Sequence, residues 1–191
     1  AGISPISHHF LYFLYPMTGI LLTVIFVRYI LRRPLSHGIP TVLHAISKKR
    51  GVLAPFQTYA SIIASVLTVG FGGSVGLEGP TIGTGAAIGS NLGRMLNLNY
   101  KQITLMIGVA GTAAMASIFQ APIAAMLFAV EVIMIDLTTF SIIPLLIASA
   151  TAVLTSYFLL GQAVLYPFEI QGHFKISEVP YYVALGILAG M

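Results

Sequence analysis

The stretch Gly70-Phe71-Gly72-Gly73-Ser74-Val75-Gly76-Leu77-Glu78-Gly79-Pro80 holds the residues best suited to chemistry. Glycine reaches backbone shapes closed to other residues and lets a ligand approach its N–H group. Proline suits the first turn of a helix, where its missing N–H is not needed. A helix is therefore expected to begin near Pro80, with Glu78 just before it. The helix start would carry partial positive charge and unpaired N–H donors, which together attract an anion. A carboxylate is itself an anion, so Glu78 could occupy that site and leave it when protonated or displaced. That makes it a candidate gate, a candidate proton carrier, or both. A plainer role fits the same residues: Glu78 could simply cap a helix at a membrane surface.

Ser36-His37-Gly38-Ile39-Pro40 repeats the pattern, with glycine and then proline opening a short segment to Ile46. It too could aim N–H groups at an anion, or be a surface turn after Arg32-Arg33. His37 could donate a hydrogen bond to an anion or sit exposed in that turn. Gly85, Gly89 and Gly93 recur every fourth residue, which makes a small-residue face for close helix packing. Their spacing does not fit a dinucleotide fingerprint. Gly72-Gly73-Ser74-Val75-Gly76 matches the nucleophile-elbow pattern, but that motif needs a strand before it and acid and histidine partners. The five histidines, at 8, 9, 37, 44 and 173, form no metal-binding pattern, and no cofactor is expected.

Composition says what must position these residues. The chain has 191 residues, with 9 Lys or Arg and 5 Asp or Glu, so only 7% are charged. Soluble domains average roughly 25%. Hydrophobic residues make up 57%, and the mean hydropathy is +0.95. So few charges cannot cover a water-facing globule, which excludes a soluble enzyme and a free nucleic-acid-binding domain. Disorder is excluded too, since it needs low hydrophobicity and high charge. The chain reads as an all-α integral membrane protein. With no cysteine it has neither disulfides nor thiolate metal ligands. In such a chain an ionisable group at membrane depth is costly unless it has a role, which raises the interest of Glu78.

The charges divide the chain into apolar runs over 10–27, 51–77, 79–93, 102–130, 137–168 and 179–191. A simple span needs about 20 apolar residues. The run 79–93 is short, and Pro122 should split the run 102–130 into two helices. Short and interrupted apolar segments suggest helices that stop inside the membrane, where protein or a watery cavity covers their ends. Arg28, Arg32, Arg33, Lys48, Lys49 and Arg50 mark a cytoplasmic face. From there the expected path is inward over 10–33, a short cytoplasmic segment over 38–46, outward over 52–76 and inward over 80–95. A hairpin follows over 102–118 and 122–135, then an outward helix over 138–160 and an external loop over 161–178. This path puts eight of the nine basic residues inside. No internal repeat or low-complexity segment is visible. The chain reads as a single fragment, 1–191, of a longer membrane protein.

With these stretches in view, the sequence resembles the CLC family of chloride channels and proton/chloride exchangers. Gly76-Leu77-Glu78-Gly79-Pro80 resembles the family's Gly-(Lys/Arg)-Glu-Gly-Pro motif, with Leu77 in place of the basic residue. Thr81, the segment Gly89 to Arg94, and Ala116 to Glu131 around Phe119-Gln120-Ala121-Pro122 also resemble the family, in matching order. The resemblance implies a fold of inverted halves with tilted, partly re-entrant helices, of which this chain is roughly the first half. It implies chloride or another small anion as the transported ligand, with protons as a second one in exchangers. Glu78 would be the gate. Gly76, Leu77 and Gly79 would line the outer and central anion sites, and His37, Gly38 and Ile39 the inner part of the path. A homodimer through 122–160 and a prokaryotic inner membrane are the further implications.

Two positions depart from the family pattern within the chain. His37 stands where the first motif, Gly-Ser-Gly-Ile-Pro, has its anion-binding serine. Val132 stands where many exchangers carry an internal proton-handling glutamate, directly after the position of Glu131. Valine cannot carry protons, which favours a channel. The family's later Gly-x-Phe-x-Pro motif and pore tyrosine are absent from residues 1–191, as expected of a first half. The sequence leaves two rivals from other classes. One is an intramembrane enzyme using Ser74 or Glu78, and the other is a non-transporting membrane scaffold of the same fold.

Overall fold

The computed structural model describes residues 5–35, 38–133, 139–161 and 176–190. Among these the chain is helical throughout, with no strand. Helix α1 spans Pro5–Ile25 and runs on into a π-helical segment, Phe26–Leu31. The others are α2 (Ile39–Lys48), α3 (Gln57–Gly70), α4 (Glu78–Met95), α5 (Tyr100–Phe119), α6 (Pro122–Val132), α7 (Thr139–Leu160) and α8 (Val179–Ala189). A short 3-10 turn, Ile176–Glu178, precedes α8.

Local chemistry sets most of the boundaries. Gly38, with φ +82°, opens α2, and Pro40 follows in its first turn. Asn99 caps α5 reciprocally: its Oδ1 accepts from the Gln102 N–H at 3.0 Å, and its own N–H donates to Gln102 Oε1 at 3.1 Å. Gln120 leaves α5 in left-handed backbone, φ +50°, and Pro122 starts α6. The apolar run 102–130 is thus split where its proline predicts.

Two boundaries differ from the sequence expectation. Helix α3 covers 57–70 rather than 52–76, because residues 51–56 are pinned as a loop. There Ser90 Oγ donates to the Gly51 carbonyl at 2.5 Å and accepts from the Leu53 N–H at 3.0 Å. Helix α4 begins at Glu78, two residues before the expected start, so Glu78 is the first helical residue and not the residue before. The π-helical end of α1 has no counterpart in the sequence pattern.

Among the described residues, three segments are long and apolar enough to cross a membrane: Leu14–Leu31, Tyr100–Phe119 and Ser141–Leu160. Helix α3, with 14 residues, and α6, with 11, are shorter than the roughly 20 a simple span needs. The core lies between α4 and α5, and between α5 and α7. It holds Ile82, Ile107, Ile133 and Leu145, all fully buried, beside Ala86, Ala87 and Ala116.

The glycine face of α4 packs as its spacing predicts. A methyl at Gly85 would lie 2.5 Å from the Ala110 carbonyl oxygen, and one at Gly89 would collide with that of Met106. Polar ties hold the other elements. Thr23 and Thr68 hydroxyls meet at 3.1 Å between α1 and α3, and Tyr100 Oη donates to the Ile46 carbonyl at 3.0 Å at the end of α2.

Candidate functional site

The starts of α2 and α4 meet backbone to backbone. A Cβ on Gly79 would lie 3.5 Å from the Gly38 Cα, and one on Gly83 would lie 3.8 Å from the Gly38 nitrogen. These are ordinary van der Waals distances, so the two backbones lie close together. At Gly38 the backbone shape calls for glycine, since φ +82° with ψ −167° belongs to a region essentially confined to it. The two stretches singled out in the sequence, 40 residues apart, are therefore one place in the fold.

Neither helix start is capped by a side chain. Helix α5 shows the contrast, with both partners of its capping box in place. Two positive helix ends thus converge, with no side-chain cap hydrogen bond at either N-cap position and Glu78 as the acidic residue in the first turn of α4. Glu78 is the first residue of α4, and its carboxylate folds back over the glycine stretch. Its Oε2 lies 2.6 Å from where a Cβ on Gly76 would be. Only glycine at 76 leaves room for that rotamer. Glu78 is exposed within this chain.

The other expected residues divide between backbone and side-chain roles. The Ile39 side chain packs against the core, which leaves only its backbone to act at the helix start. Leu77 lines an apolar cleft of about 320 Å³ between α3 and α4, with Ile62, Val66 and Pro80. Leucine suits that wall, and it accounts for the lack of a basic residue there. His37 and its neighbour Ser36 lie outside the described residues. Gly72 to Gly76 follows a helix and leads into a helix, so the strand that a nucleophile elbow needs is not there. Val132 lies at the end of α6, partly buried against the core, and Glu131 beside it is exposed.

The structure adds residues that sequence reasoning passed over. A polar cavity of about 10 Å³ lies behind the start of α2, bordered by Gly38, Thr41, Gln57, Ser61 and Gly83. That is close to the smallest volume that holds one water. Gln57 Oε1 is buried and has no hydrogen-bond partner among the described residues. A Gln at the first turn of an apolar helix was a visible signal, but nothing in the sequence tied it to residues 38–41.

The same chain can be set beside known proteins. The family model described as voltage gated chloride channel matches residues 19–191. The chain belongs to the voltage-gated chloride channel family. Its helices and this membership make it an integral membrane protein. It is 30% identical over 182 residues to a putative chloride channel protein, ClcB-like, of Ralstonia nicotianae, covering 93% of this chain and 42% of that protein. It is 30% identical over 130 residues to the voltage-gated ClC-type chloride channel ClcB of Citrobacter koseri, covering 68% of this chain and 31% of that protein. It is 26% identical over 168 residues to chloride channel protein CLC-f of Arabidopsis thaliana, covering 82% and 22%. The chain spans less than half the length of these curated relatives.

Proposed function

We propose that the full protein carries chloride or a similar small anion across a membrane, with Glu78 as its gate. One observation carries this reading: two uncapped helix starts converge at Gly38 and Gly79, with a lone carboxylate folded over Gly76 beside them. A membrane-embedded anion gives up its water shell, and aligned N–H groups replace part of it. The Glu78 carboxylate competes for the same positive ends. Protonation removes its charge and its reason to stay, and the anion then takes its place. Gly76, Gly79 and Leu77 supply the outer and central positions of the path, and His37, Gly38 and Ile39 the inner one.

The names of the relatives support chloride as the transported ion. Val132 favours a channel over a proton-coupled antiporter, since it offers no internal proton acceptor. The short helices α3 and α6 suit a fold of tilted, partly re-entrant helices in which this chain forms the first of two inverted halves. A homodimer through 122–160 and a place in a prokaryotic inner membrane complete the reading.

The deciding experiment is the reversal potential of the reconstituted full-length protein under opposed chloride and proton gradients. A channel follows the chloride gradient alone, which is the expected result. A potential that follows both gradients identifies an exchanger. No chloride-selective conductance or flux in either case overturns the transport reading.

A further inference from the structure

Arg28, Arg32 and Arg33 line one cleft of about 660 Å³ where α1 ends, together with Val24, Val27 and Leu35. No carboxylate lines it, and the sequence holds no Asp or Glu before Glu78. The positive charge there has no acidic neighbour along the chain. Two of the arginines are positioned by the fold. Arg32 ends the π-helical segment in left-handed backbone, and its Nε donates to the Tyr29 carbonyl at 3.2 Å. The Arg33 guanidinium lies over the Phe56 ring, 5.5 Å from its centre, which fixes it by a cation–π contact. A guanidinium presents paired N–H donors that match a phosphate.

The rest of the cleft has a different chemistry. Val24 and Val27 share one face of the Leu14–Leu31 membrane segment and continue the cleft away from the arginines. The cleft therefore joins a cationic mouth to an apolar wall along a membrane helix. A small inorganic anion would use the first and gain nothing from the second. We propose that this cleft binds an anionic phospholipid, its headgroup phosphate held by Arg28, Arg32 and Arg33 and an acyl chain laid against Val24 and Val27. Charge complementarity favours an anionic over a zwitterionic headgroup. The site is separate from the meeting of α2 and α4, and it stands whether or not the protein conducts anions.

The test uses the full-length protein in detergent, titrated with phosphatidylglycerol and read by native mass spectrometry. The R28Q/R32Q/R33Q variant should bind the tightest lipid about a hundredfold more weakly, at roughly 1 kcal/mol per arginine lost. The R28K/R32K/R33K variant should bind between the wild type and the Gln variant, since it keeps the charge and loses the paired guanidinium donors. Phosphatidylcholine and inorganic phosphate should compete poorly. In a second measurement, a phosphatidylglycerol with a photoreactive acyl chain should label residues 20–35 of the wild-type protein. Equal lipid affinity in the Gln variant, displacement by inorganic phosphate alone, or labelling only elsewhere would each overturn the proposal.

Discussion

Gly38 and Gly76 do different work at the candidate site, and each can be tested by adding one methyl group. At Gly38 the backbone shape itself is reserved for glycine, so Gly38→Ala should cost about 1–3 kcal/mol and lower Tm in detergent. At Gly76 the methyl would collide with Glu78 Oε2. Gly76→Ala should therefore displace the carboxylate and move anion flux in the same direction as removing its charge. Flux unchanged by Gly76→Ala would mean that the rotamer over Gly76 has no part in gating. His37 lies outside the described residues, and its prediction rests on the sequence. If it faces the ion path, His37→Ser should shift the preference between chloride and nitrate in reversal-potential measurements. Glu78 stood out because it is one of only five carboxylates in the chain, and the glycines because they cluster beside it just before a proline. The role of Leu77 was not, because only the packing of α3 against α4 shows that its side chain fills an apolar wall.

The helices followed from punctuation more than from periodicity. Pro40, Pro80 and Pro122 each lie in the first turn of a helix, and Asn99 with Gln102 marks the start of α5. Spacing alone identified the face of α4 that packs on α5. Gly89→Ala should destabilise the protein by about 1–3 kcal/mol through overpacking against the Met106 carbonyl, read as a lower Tm. The limits of α3 were not legible. They depend on Ser90, 37 residues beyond Leu53, and a hydroxyl in a glycine-rich helix gives no sign of its distant partners. Ser90→Ala should leave a buried Leu53 N–H without its acceptor, at a cost of about 1–3 kcal/mol. Hydrogen exchange should then rise within 51–56 and little elsewhere. The π-helical end of α1 was equally hidden, since its residues have the same apolar and basic pattern as an α-helix.

For the whole molecule, scarcity of charge was the clearest signal, and the helical membrane architecture followed from it. The faces of the helices carry a second message that composition cannot assign. In α7, Ile143 is 61% exposed and Ile147 58% exposed, on a membrane segment with its other face against α5. Such a face can meet lipid, the remainder of a longer chain or a second copy. The dimer reading commits to the last of these. In a cysteine-free full-length protein, Ile147→Cys should form a disulfide cross-link between two copies under mild oxidation. An exposed position such as Met17→Cys on α1 should not. The central claim concerns the meeting of two helix starts with one movable carboxylate, and reconstituted flux tests it most directly. Anion flux through the full-length protein should depend on pH in the wild type, and in Glu78→Gln it should persist and lose that dependence. Flux with the same pH dependence in both proteins would contradict the claim.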